Sequence, residues 1–254
     1  MKRLRKLASI YSRIGRTCWS KAPSLLLLAT VVFVPIGFLD ALTTGVEVDS
    51  LDLGSSLQIA AAVGAMAAIT MTGLLGEVFY SGAVAVSLTH PTHEKAPSIS
   101  EVARRLDYRR LILVDIAYVA LVIVGLLLFF VPGILVFVWF GLSGPVVEIE
   151  GRSVRGALRR SASLVRGNFW TVLLVLAPVE LAGDLITELV GDVVHDLLGH
   201  TFLATWLAES VSNIFFTPVF AVAAVLLTLD LIAERNEDSN RGGDPTPQPT
   251  AAPA

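Results

Sequence analysis

All nineteen lysines and arginines of this chain fall in four clusters, and the long apolar stretches between the clusters hold none. Seven lie between Lys2 and Lys21, five between Lys95 and Arg110, five between Arg152 and Arg166, and two at Arg235 and Arg241. A cationic side chain at the centre of a bilayer costs about 3 kcal/mol on insertion scales, so the stretches read as membrane spans and the clusters as aqueous connections. Composition agrees: 54% of the 254 residues are hydrophobic and 16% charged, too polar-poor for the surface of a soluble domain this long. The formal net charge of −3 decides nothing. Cys18 is the only cysteine, which excludes an intramolecular disulfide and a cysteine-built metal cluster. The basic N-terminus precedes an apolar run, as in a signal peptide. It is long, however, and no small-x-small cleavage site follows convincingly before Asp40, so an uncleaved first span is expected.

A hydrocarbon core of about 30 Å needs about twenty helical residues. Ala22 to Leu39 supplies a first pass, with Pro35 as a kink. Leu53 to Gly76 is uncharged and the apolar character runs on past Glu77 to Leu88, too far for one upright crossing. A tilt, or a bend near Gly73 and Gly76, is expected there. Ala60, Gly64, Ala68, Thr72 and Gly76 form a row of small residues suited to close helix packing. Leu111 to Val147 would be about 55 Å long as one helix, so a turn at Pro132-Gly133 is expected to fold it into a hairpin. Asn168 to about Val190 and Ser210 to Leu229 complete six spans.

Charge placement supports the hairpin. With six spans every basic residue shares one side with both termini, and the other side receives Asp40, Glu47, Asp49, Asp52, Asp184, Glu188, Asp192, Asp196 and Glu209. A single pass over 111–147 would export five arginines. The expectation is therefore an all-α, polytopic helical bundle in the cell membrane with both termini cytoplasmic. A basic amphipathic segment over 1–21 precedes a six-span domain over 22–233. The polar, Pro-, Gly- and Ala-rich tail over 234–254 buries too little apolar surface to repay ordering.

The stretch from Glu150 to Trp170 packs its arginines between two spans. Ser153 is placed to cap a helix with Val154, Ala157, Leu158, Ser161 and Val165 on one face and Arg155, Arg159, Arg160 and Arg166 elsewhere. That is a basic amphipathic elbow, each arginine near an anionic lipid headgroup contributing on the order of 1 kcal/mol. Trp170 fits an interfacial anchor. Nucleic acid is disfavoured as a partner, because no stacking aromatics interleave the arginines. "SISEVARR", Ser98 to Arg105, echoes "SVRGALRR", Ser153 to Arg160, either through duplication or through convergence on one task.

Pro132-Gly133-Ile134, Glu150-Gly151, Ala157-Leu158, Arg160-Ser161, Leu164, Gly167 and Phe169-Trp170 together resemble the membrane domain associated with some glycerophosphoryl diester phosphodiesterases. Related bacterial six-span families of unknown function look similar. The resemblance follows the layout of most of residues 1–233 and is specific from about 131 to 170. It implies a six-helix bundle in which these motif residues are structural. It does not imply phosphodiesterase chemistry, which in that family belongs to a separate soluble barrel with a His-Arg-Gly motif and acidic metal ligands. None of His90, His93, His195 or His200 is followed by arginine, and Glu47-Val48-Asp49 lies in a short loop.

Glu77 and Glu180 each lie about twelve residues inside a span, near mid-bilayer at about 1.5 Å per residue. No basic residue in the spans neutralises them. Such acids point either to proton- or cation-coupled transport or to protonated side chains that bond neighbouring helices together. Asp115 is expected near the inner headgroups. Acids at 180, 184, 188, 192 and 196 wind along one helix towards His200, a solvated acidic face rather than a divalent-cation site at Asp192, Asp196 and His200. The sequence holds no P-loop, G-x-G-x-x-G, G-x-S-x-G or H-E-x-x-H motif, and neither a cofactor nor catalysis is expected. Two functional readings stand. The first is a non-enzymatic accessory or scaffold protein that organises lipid, a membrane-protein partner or a second copy. The second is a proton- or cation-coupled transporter or channel using Glu77 and Glu180.

Overall fold

The computed structural model describes residues 2–44, 76–89, 99–199 and 201–242, and every element among them is a helix. In chain order these are α1 (Lys2–Thr44), α2 (Glu77–Thr89), α3 (Ile99–Arg105), α4 (Tyr108–Leu128), α5 (Phe130–Phe140), α6 (Ser143–Glu150), α7 (Val154–Val165), α8 (Phe169–Leu198) and α9 (Phe202–Gly242). Five helical stretches are long and apolar enough to cross a membrane: Arg5–Leu39, Tyr108–Leu128, Val131–Glu150, Phe169–Leu198 and Phe202–Glu237. The span expected over Leu53–Gly76, with its row Ala60, Gly64, Ala68 and Thr72, lies outside the described residues except for Gly76. His90, His93, Ser98 and His200 lie outside them too.

The chain between Arg110 and Glu150 does double back. Asp107 N–H donates to Glu148 Oε1 at 3.1 Å, and Arg110 Nη1 donates to the Gly151 carbonyl at 3.2 Å, so entry and exit share one end. The turn is not at Pro132-Gly133 as expected. It falls at Phe129, whose extended backbone separates α4 from α5. Pro132 sits in the first turn of α5, where a missing N–H leaves no intrahelical bond unmade. Gly133 serves packing: a Cβ on Gly125 would lie 3.0 Å from Gly133 Cα. Only two glycines face to face let the legs meet so tightly beside the turn.

The first and last helices are long antiparallel neighbours. At one end Trp206 Nε1 donates to the Val34 carbonyl at 3.0 Å, and Phe38 meets Phe202 edge-on at 5.2 Å. At the other end Arg13 holds both oxygens of Asp230 at 2.8–3.1 Å, and Lys6 pairs with Glu234. The basic segment over 1–21 is thus continuous with the first span, through Pro23 and Pro35. The tail expected to be disordered from Glu234 begins as helix, since α9 continues to Gly242.

These pairs join a network that touches all four basic clusters. Arg235 donates to Ser163 Oγ at 3.1 Å, while Arg160 and Arg152 both hold Glu150, at 2.8 and 2.9 Å. Arg110 closes the circuit through Gly151. Partly exposed pairs contribute at most about 1 kcal/mol each, so the network matters for geometry more than for stability. It gathers the charged ends of α1, α4, α7 and α9 at one pole. Much of the rest of the exterior is apolar, including Val31, Ile112, Val124, Leu181, Leu185 and Leu189, as a bilayer solvent requires.

Candidate functional site: an acidic pair beside a broken helix

The site begins with an interruption. Gly76 has φ +93°, a conformation L side chains rarely adopt, and α2 starts at the next residue. A Cβ at Gly76 would also lie 2.4 Å from Ile36 Cδ1. A helix that starts inside a protein exposes backbone N–H groups with no partner of their own. Here Asp115, 3% exposed on α4, supplies the acceptor: its Oδ2 takes the Gly76 N–H at 2.7 Å and its Oδ1 the Val78 N–H at 3.2 Å. Asp115 therefore caps α2 inside the bundle rather than meeting headgroups. On the other side Gly144 lets α6 lie against the first turn of α2, since a Cβ there would lie 2.0 Å from the Val78 carbonyl oxygen.

That capped first turn aims Glu77 at α8. Glu77, 7% exposed, and the half-buried Glu180 reach the same small cavity from the two sides. Glu77 Oε2 is buried and has no partner. Both glutamates line a cavity of about 50 Å³ together with Asp184, Asn213 and Thr217, between walls of Val179, Phe216 and Phe220. Asp184, at the edge of this lining, is exposed. Thr217 Oγ1 lies 3.4 Å from Asn213 Oδ1, both on α9. The Tyr118 hydroxyl is buried without a partner and within electrostatic reach of Glu77, Glu180 and Asp115.

The remaining sequence-picked residues separate from this site. Glu150, Arg160 and Ser161 build a latch at the charged pole: Arg160 Nε donates to both Glu150 oxygens at 2.8 and 3.0 Å, and Ser161 Oγ to the Trp139 carbonyl at 2.6 Å. Gly151, at φ +63°, makes the turn between α6 and α7 that brings Arg160 back onto Glu150. Ser153 caps α7, accepting from Gly156 N–H. Trp170 is 62% exposed at the start of α8. Asp192 and Asp196 are exposed, and among the described residues no three His, Cys, Asp or Glu side chains converge to hold a metal ion. A larger cavity, about 430 Å³, opens between α1 and α4, but its lining is apolar apart from Asp115, whose oxygens are engaged, Tyr108 and Gly76.

No protein-family model matches the chain, and no curated protein or solved structure matches it either.

Sequence reasoning placed Asp115 near the inner headgroups and missed its capping role, and it missed Asn213 and Thr217 altogether. A capping carboxylate on another helix leaves no local pattern. Asn213 and Thr217 do lie four residues apart, on one helix face and within an apolar run, which is the signal that was there to find.

Proposed function

We propose that this chain is a six-span membrane protein that carries a proton or small cation through an acidic site within the bilayer, with the charged pole and both termini in the cytoplasm. One observation carries the reading: two acids more than a hundred residues apart in sequence meet at a polar cavity, one of them with a buried oxygen left free. Helix glue alone would leave no free oxygen and no cavity. Glu77 lies in the first turn of a helix that begins inside the bundle, where Asp115 caps it. A helix broken inside a bundle is how proteins that move ions present backbone and acids to their cargo. The test is reconstitution into liposomes with an imposed pH or cation gradient and an enclosed reporter dye. Flux is expected for the native chain, loss for Glu77→Gln and Glu180→Gln, and no change for Asp192→Asn. Liposomes that stay tight with the native chain under every gradient would refute it.

An accessory role at the lipid surface keeps an observation of its own. Arg155, Arg159, Arg166 and Trp170 are exposed on one side of α7 and its exit, free to meet anionic headgroups. Co-purified anionic lipid should fall in an Arg155→Gln, Arg159→Gln, Arg166→Gln triple variant and stay constant if those arginines do not hold lipid. Kinship with the phosphodiesterase-associated membrane domains is proposed on the same footing. The latch of Glu150, Gly151, Arg160 and Ser161 gives the shared residues a physical task.

A further inference from the structure

We infer that the cavity between α2, α8 and α9 is a binding site for one sodium-sized alkali cation, held by oxygens of Glu77, Glu180, Asn213 and Thr217, with a proton as its competitor. The inference rests on the carrier reading and specifies its cargo.

Charge comes first. Carboxyl groups of Glu77, Glu180 and Asp184 line the cavity, and no lysine or arginine does. Buried negative charge is expensive until positive charge arrives to offset it. Protons or a small cation supply that charge.

Chemistry comes second. Every polar lining atom named is oxygen or an amide: two glutamate carboxyls, Asp184, the Asn213 amide and the Thr217 hydroxyl. Hard oxygens suit an alkali cation and disfavour a soft transition metal, while the neutral amide and hydroxyl favour a cation of low charge. Neutral amide and hydroxyl oxygens do nothing for a bare proton exchange, yet they complete a cation's shell at no cost in charge.

Space comes third. A cavity of about 50 Å³ exceeds what a proton needs and takes one small cation with a few waters. Glu77 Oε2, buried and unpartnered, is the oxygen left for it.

Competition with protons follows, because a cation and a proton answer the same carboxylate charge. The other titratable groups near the pair are Asp184 on α8 and Asp115 and Tyr118 on α4; α9 faces it with the neutral Asn213 and Thr217. Asp115 is engaged by backbone donors, so the pair itself is the exchanging element.

The test uses a hydrophobic carbodiimide, which reacts with protonated carboxyl groups, on the purified full chain in detergent, with labelling at Glu77 and Glu180 read by mass spectrometry. Sodium chloride is compared with choline chloride at equal ionic strength across a pH series. Saturating sodium is expected to slow labelling about tenfold by mass action, more readily as pH rises and protons compete less. Thr217→Val and Asn213→Leu should still be labelled, showing an intact pocket, but lose sodium protection. Labelling that follows pH and ignores sodium would overturn the alkali-cation assignment and leave the proton carrier standing. Protection by calcium at lower concentration than sodium would overturn it in favour of a divalent site. Labelling of neither glutamate at any pH would overturn both this inference and the carrier reading.

Discussion

Replacing Asp115 by alanine removes the acceptor that lets a helix begin inside the bundle. Two buried donors, Gly76 N–H and Val78 N–H, lose their partner together. An unsatisfied buried group costs about 1–3 kcal/mol, so the pair costs about 4 kcal/mol. For a chain of this length each kcal/mol lowers Tm by about 2–4 °C, and Asp115→Ala is expected to melt about 8–16 °C below the native protein. Asp115→Asn keeps one acceptor oxygen and turns an amide N–H₂ towards a donor, so about half that loss is expected. Ile116→Ala, at the adjacent position and 42% exposed, serves as the control and should change little. Tryptophan fluorescence during heating in detergent reads all three. The reasoning is refuted if Asp115→Ala melts with the Ile116→Ala control, since α2 would then keep its start without the carboxylate.

Other outcomes follow from the same geometry. Gly76→Ala forces a side chain into φ +93° and against Ile36, and is expected to lower Tm by several degrees, from about 1–2 kcal/mol of backbone strain alone. Arg160→Lys loses the two-pronged hold on Glu150 and should cost about 1 kcal/mol, read as earlier proteolytic nicking between α6 and α7. In a Cys18→Ser background, Arg155→Cys should react with a membrane-impermeant maleimide from the same side as Arg105→Cys, and Leu198→Cys only from the other. Labelling of Arg105→Cys and Arg155→Cys from opposite sides would break the hairpin reading.

What the sequence made legible is what solvent enforces. Charges confined to four clusters announced the spans, and the five arginines from Arg152 to Arg166 demanded the hairpin, which the contact of Arg110 with Gly151 bears out. The turn was misplaced by a few residues because Pro-Gly serves a helix start as well as a chain reversal, and nothing about Phe129 advertises extended backbone. Glu77 and Glu180 stood out singly, since an acid in an apolar run is conspicuous. Their meeting was not readable, because it depends on how α2 and α8 each pack against α9. Ser153 as a cap was legible from its spacing; Asp115 as a cap was not, because its helix start lies in another part of the chain.

The ionic clasp between α1 and α9 has a consequence for how the protein is made. Synthesis delivers Lys6 and Arg13 more than two hundred residues before their partners Glu234 and Asp230, so α1 must wait beside an empty berth until α9 has emerged. A ribosome that stops short of Asp230 leaves α1 without either ion pair that fastens it to α9, an unsealed seam down one side of the bundle.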